Sequence, residues 1–137
     1  MSRSHPPDRG APERLHDPRG GRPLSTLTVE VLFALVDQAR YGYEILKEIE
    51  RQTAGASSPR TASLYAALHR LEEEGFVEEA PDAAQPGEDE RRAYYAITPA
   101  GLGALRQEAR RMARVVDLAR EKELLPYAAG EPRTAVS

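Results

Sequence analysis

Apolar positions along the chain recur at helical spacing in four stretches and at strand spacing in two short runs. Between Thr28 and Ala39, Val31, Leu32, Leu35 and Val36 predict a first helix, with Ser25, Thr26 or Thr28 available to cap it. A second amphipathic helix opens at Tyr41-Gly42-Tyr43-Glu44 and runs to about Thr53; Ile45, Leu46 and Ile49 form its apolar face, and Gly55 follows its end. Ser57-Ser58-Pro59 then predicts a turn and cap. Beyond it Leu64, Leu68 and Leu71 mark a third helix that stops at Gly75, behind Glu72-Glu73-Glu74.

The pattern then changes period. Phe76-Val77-Glu78 and Ala93-Tyr94-Tyr95-Ala96-Ile97 are β-prone, and the turn-rich, acidic run from Pro81 to Glu90 separates them, which predicts a hairpin with a long tip. Strand alternation puts one of Tyr94 and Tyr95 in the core and the other on the hairpin surface. Thr98-Pro99 combines an N-cap with a proline at the first helical position and launches a fourth helix from Ala100 to about Leu125, where Pro126 ends it. The order is three short helices, a hairpin and a long helix. That is a mainly α, α+β chain of winged helix-turn-helix type.

Both ends differ from this middle. Residues 1–23 hold five prolines, five arginines and almost no large apolar side chain, so they cannot bury enough surface to offset the entropy of ordering. They are expected to form a disordered arm, either a solvated tail or a basic strand that strays into a DNA groove. Residues 126–137 are expected to be a second flexible tail. Between them, 24–98 is the expected winged helix-turn-helix domain and 99–125 the long helix.

Composition narrows the function. No apolar run approaches the ~20 residues needed to span a bilayer, and the N-terminus lacks an apolar signal segment, so a soluble cytoplasmic protein without membrane contact is expected. There are no cysteines, which removes disulfides, thiolate catalysis and cysteine-based zinc sites together. His5, His16 and His69 are scattered and assemble neither a metal site nor a general base. No glycine-rich phosphate loop or nucleophile motif occurs, so no catalytic residue, metal or cofactor is assigned. The formal net charge of −3 opposes nucleic-acid binding by the chain as a whole, so the local distribution of charge has to carry any such function.

Three blocks then carry a family resemblance. Tyr41-Gly42-Tyr43-Glu44-Ile45-Leu46-Lys47-Glu48-Ile49, the run from Ser63 to Val77 that includes Leu64-Tyr65 and Leu71-Glu72-Glu73-Glu74-Gly75-Phe76, and Arg91-Arg92-Ala93-Tyr94-Tyr95-Ala96-Ile97-Thr98-Pro99-Ala100-Gly101 resemble, in order and spacing, the PadR family of bacterial transcriptional regulators. The resemblance implies a winged-helix domain followed by a C-terminal helix that pairs two subunits, as in the short members with a single such helix. It implies a repressor whose third helix enters the major groove of a pseudo-palindromic operator, in many members released by a small organic molecule. This chain departs from the family where Thr61-Ala62-Ser63-Leu64-Tyr65 replaces the common Pro-Gly-Thr-Leu-Tyr and where Tyr41 replaces a histidine. Asp82, Glu88, Asp89 and Glu90 would also repel phosphate from the wing tip.

Physical argument selects the contacts. At the front of the third helix Arg60, Thr61, Ser63 and Tyr65 offer a charge and three hydroxyls beside free N–H groups, and His69 and Arg70 follow one turn later. Taken singly, Ser and Thr also serve as caps and Arg70 as a partner for glutamate. Tyr43 and Lys47 are spaced i, i+4, one to brace the third helix or enter the core and the other to reach a phosphate. Arg91 and Arg92 point to opposite faces of the returning strand, so one of them at most faces DNA. In the fourth helix Leu102, Leu105, Ala109, Met112, Val116 and Ala119 form a narrow seam that either folds back on the first helix or pairs with a second copy. The absence of tryptophan leaves an aliphatic and methionine surface for any effector, which suits a small hydrophobic molecule. The alternative function is a winged-helix dimer that binds a protein or ligand and no DNA.

Overall fold

The computed structural model describes residues 23–83 and 92–127. The arm up to Arg22, the wing tip from Ala84 to Arg91 and the tail from Ala128 onward lie outside the described residues, and with them the expectations placed on those segments.

Helix α1 spans Thr26–Ala34 and starts from Ser25, whose side chain accepts the Thr28 N–H at 3.3 Å. Val29, Val31, Leu32 and Ala34 are all buried, so this helix is apolar on most of its circumference and lies in the centre of the domain against the other helices. It ends five residues before the predicted Ala39. Arg40 accounts for the early stop: its Nε donates to the Ala34 carbonyl at 2.7 Å, while Nη2 lies 3.5 Å from Asp37 and 3.7 Å from Glu48. Val36, counted toward the helical face, is 48% exposed in the turn that follows.

Strand β1 (Arg40–Tyr41) comes next and was not anticipated, because two residues show no alternation. It runs directly into α2 (Gly42–Gln52), where the Tyr41 N–H is accepted by Glu44 at 3.3 Å. Ile45 and Ile49 are buried as the periodicity required, and Leu46 is half-buried. The helix closes with Gly55 N–H on the Glu50 carbonyl and Ala54 N–H on Arg51, a Schellman turn that puts Ala54 at φ 52°.

Helix α3 (Thr61–Glu73) buries Leu64, Ala67, Leu68 and Leu71. Its end repeats the same device: Phe76 N–H reaches the Leu71 carbonyl, Gly75 N–H reaches Glu72, and Gly75 takes φ +79°. The expected seryl cap is absent here. Ser57 Oγ donates to Glu30 at 2.8 Å and Ser58 Oγ to Glu50 at 2.7 Å, so both hydroxyls brace the turn and Arg60 occupies the N-cap position without a side-chain cap.

Strands β2 (Val77–Glu79) and β3 (Tyr94–Ile97) form the antiparallel hairpin, with a single 3₁₀ turn at Pro81–Ala83 after β2. β3 is the middle strand of three, in the order β1-β3-β2. The alternation expected for the two tyrosines is corrected by this order: Tyr94 and Tyr95 are both buried, at 5% and 7% exposure. Tyr95 faces the core, and Tyr94 pairs in register with Tyr41, whose ring covers it edge-on at 5.3 Å.

Helix α4 (Pro99–Glu121) begins at Thr98, whose hydroxyl accepts the Gly101 N–H at 3.0 Å. Only its first turns belong to the domain core, through Gly101, Gly103, Ala104 and Leu105. Glu108 is buried as well, accepting the Leu24 N–H at 2.8 Å and holding Arg111 at 3.4 Å. The helix stops short of Pro126. A third Schellman turn, with Leu124 N–H on Ala119 and Glu123 at φ 64°, ends it before the proline is reached.

Candidate nucleic-acid interface

Burying Leu64, Ala67, Leu68 and Leu71 turns the opposite side of α3 outward. Arg60, Thr61, Ser63, Tyr65, His69 and Arg70 are all exposed, so every residue picked from this helix stands on the surface. Tyr65 and His69, four residues apart, share one stripe. Neither Arg60 nor Arg70 holds a carboxylate among the described residues, which sets aside the glutamate partner considered for Arg70. His69 Nδ1 lies 3.8 Å from Glu72 at the far end of the stripe. Without a side-chain cap, the first N–H groups of α3 stand free at its leading end, where the helix dipole favours an anion.

Helix α2 adds a further cation beside this stripe, Lys47. Tyr43 is 58% exposed, which excludes the core role left open for it. The Lys47 ammonium sits 5.4 Å from the Tyr43 ring centroid and 3.5 Å from Glu50. Tyr43 first, and Glu50 after it, hold the Lys47 pKa above its ordinary value, so the side chain keeps its charge well into the alkaline range. Glu50 is in turn pushed below the usual carboxylate range, chiefly by the hydrogen bond from Ser58. Between the two helices runs a small groove of about 140 Å³, lined by Gly42, Tyr43, Leu46, Thr61, Leu64 and Tyr65.

On the wing, Arg92 is exposed, with its guanidinium 4.4 Å from the centroid of the Tyr41 ring, which orients it without neutralising it. Arg91 lies outside the described residues. Of the acidic tip only Asp82 is described, exposed in the 3₁₀ turn.

The seam expected along α4 divides. Leu105 is buried in the domain core and so folds back within the chain, while Leu102 is half-buried. Further along, Met112 is 41% exposed, Ala109 is exposed, and Val116 and Ala119 are half-covered. Sequence reasoning missed Val115 and Leu118, at 60% and 50% exposure, which broaden the free apolar surface. A wider helical template would have found them. Met112 also closes a groove of about 460 Å³ with Leu24, Val29 and Phe33. No described helix is long and apolar enough to cross a membrane.

Residues 31–107 match a family model described as the transcriptional regulator PadR-like family. An uncharacterized protein of Lysinibacillus sphaericus is 33% identical over 88 residues, covering 64% of this chain and 79% of that protein. Among solved structures, a transcriptional regulator from Clostridium thermocellum superposes with a TM-score of 0.60 at 28% identity, over 72% of this chain and 96% of that one. A PadR family transcription regulator from hypervirulent Clostridium difficile gives a TM-score of 0.60 over 71% of this chain and 97% of that one, and at 19% identity it speaks for the fold alone.

Proposed function

The chain belongs to the PadR-like family of transcriptional regulators, a family of regulators and not of enzymes, and from that membership we propose that it is a repressor that binds a pseudo-palindromic DNA operator as a homodimer. The outward stripe of α3 carries the reading. An exposed helix face with Arg60, Thr61, Ser63, His69 and Arg70, its guanidinium groups unpaired among the described residues, suits entry into a major groove. Lys47 and Tyr43 approach the backbone from α2, and Arg92, with Arg91 beside it in sequence, does so from the wing. Local cations serve here although the whole chain is acidic, because phosphate responds to the charge within a Debye length of it.

In this reading residues 24–98 form the DNA-binding unit and 99–125 the pairing helix. The apolar surface of α4 beyond Glu108, from Ala109 and Met112 through Val116 and Ala119 with Val115 and Leu118, meets the same surface of a second copy, two-fold symmetry matching the operator. A small hydrophobic effector suits that aliphatic interface, and DNA release follows if it alters the pairing. The place of action is the cytoplasm.

Mobility shift on the DNA immediately upstream of the chain's own coding sequence, at several salt concentrations, tests the proposal. A shift that weakens steadily as salt rises is expected, since neutralised phosphates release counterions. No shift at low salt would leave the alternative, a winged-helix dimer that binds a protein or ligand.

A further inference from the structure

We infer that Tyr65 acts as a positioning residue, its ring seated on the backbone of Gly42 so that it sets how α3 stands against the junction of β1 and α2; the inference rests on the DNA-binding reading above. Gly42 is buried and is the first residue of α2, immediately after β1. A Cβ placed there would overlap Tyr65 Oη and lie 2.7 Å from Cζ and 3.3 Å from Cε2. Oη, Cζ and Cε2 move as one rigid phenol, so relieving the overlap turns that phenol off its seat or shifts α3.

The junction under that ring joins the two parts of the interface. Tyr41, one residue back, is in register with Tyr94 in the wing sheet, and its ring both covers Tyr94 and carries the Arg92 guanidinium. Gly42 starts the helix that bears Tyr43 and Lys47. Tyr65 on α3 therefore touches the point where β1 of the wing sheet becomes the supporting helix α2. Ile45 and Ile49 of α2 share the buried core with Leu64, Leu68 and Leu71 of α3, and outside that core the two helices leave the groove of about 140 Å³, which Tyr65 lines beside Gly42. The hydroxyl lies against Gly42, which points away from a role as a donor to a base edge. Its ring, 40% exposed, spaces the helices.

Three variants and one combination decide between positioning and direct readout, on the DNA upstream of the chain's own gene. Tyr65→Phe keeps the ring and is expected to bind within about twofold of the parent, whereas a hydroxyl reading DNA would lose about tenfold. Gly42→Ala is expected to weaken binding by about tenfold or more in a protein with unchanged far-UV circular dichroism. In the Tyr65→Ala background the same Gly42→Ala change should cost less than about twofold, because the obstructing ring is gone. A tenfold loss in Tyr65→Phe, or an equal cost of Gly42→Ala in both backgrounds, overturns the inference.

If no DNA binds at all, the regulator reading fails by itself, and the seating is judged by urea denaturation. Gly42→Ala should then lower the midpoint when Tyr65 is present and leave it in place in the Tyr65→Ala background; equal shifts refute the seating. Should Gly42→Ala fail to fold, recovery of folding in the Gly42→Ala/Tyr65→Ala pair supports it, and an unfolded pair overturns it.

Discussion

Replacing Thr98 by alanine tests how α4 is mounted on the end of α3. The hydroxyl donates to the Gly75 carbonyl at 2.6 Å and accepts the Gly101 N–H at 3.0 Å, so one side chain both caps α4 and ties it to the turn that closes α3. The backbone bond from Thr98 N–H to the Phe76 carbonyl, at 3.0 Å, survives the change. Loss of the cap costs about 1 kcal/mol, with a range of about 0.5–2. Loss of the donor to Gly75 adds less than a buried bond would, since that carbonyl is open to water, and about 0.5 kcal/mol is reasonable. The sum is about 1–2.5 kcal/mol. In a folded unit of this size each kcal/mol lowers the melting temperature by about 4–8 °C.

Urea denaturation and thermal melting at fixed protomer concentration measure it, the concentration being held so that any self-association contributes equally to parent and variant. Thr98→Ser keeps both bonds and should recover most of the loss. If Thr98→Ala matches the parent within about 0.3 kcal/mol, or serine fares no better than alanine, the tie between the two helices is not what holds α4.

Four further outcomes are expected. Arg60→Ala should cost about 1–3 kcal/mol in operator binding with the fold intact, and unchanged affinity by mobility shift would remove Arg60 from the interface. Met112→Asp should bury an uncompensated charge between copies and shift the protein toward monomer, which sedimentation velocity reads directly; a dimer of undiminished strength places the interface elsewhere. Ala54→Gly should raise stability by about 0.5–1 kcal/mol, because φ 52° strains an L-residue and not glycine, and a loss in urea midpoint would contradict that account of the α2 terminus. Burial first, then Glu72 and Glu79, push the Tyr95 pKa above its ordinary 10.0, so its phenol stays protonated in the fold after it would ionise in the unfolded chain. Stability from this source is complete below about pH 10 and is lost as pH rises through the folded pKa; Tyr95→Phe should flatten that alkaline decline, and an unchanged slope would refute it.

Local chemistry made much of this legible. The apolar faces of α2 and α3, the glycine that closes α3 and the Thr98-Pro99 start of α4 each depend on residues within one or two turns, so periodicity and capping were enough to find them. The outward stripe from Arg60 to Arg70 followed at once, because fixing which side of a helix is buried fixes which side is not. What failed depended on contacts distant in sequence. Tyr94 was free to face solvent until β1, a strand too short to show any pattern, paired with it and laid Tyr41 across its ring. The first helix stopped early because Arg40 caps Ala34 and two carboxylates from different segments hold that guanidinium.

Short-range spacing and side-chain chemistry encode the order of elements, the family and the polar surface of α3, and all three could be read without coordinates. Folding was needed to place Tyr43 outside and Tyr94 inside, to set Ser57 and Ser58 bracing a turn in place of capping a helix, and to pack Leu105 within the chain while Met112, Val115 and Leu118 stay exposed. It also brought Tyr65 onto Gly42, two residues on different helices. Burial and steric fit are properties of surfaces brought together, and no window along the chain contains both surfaces.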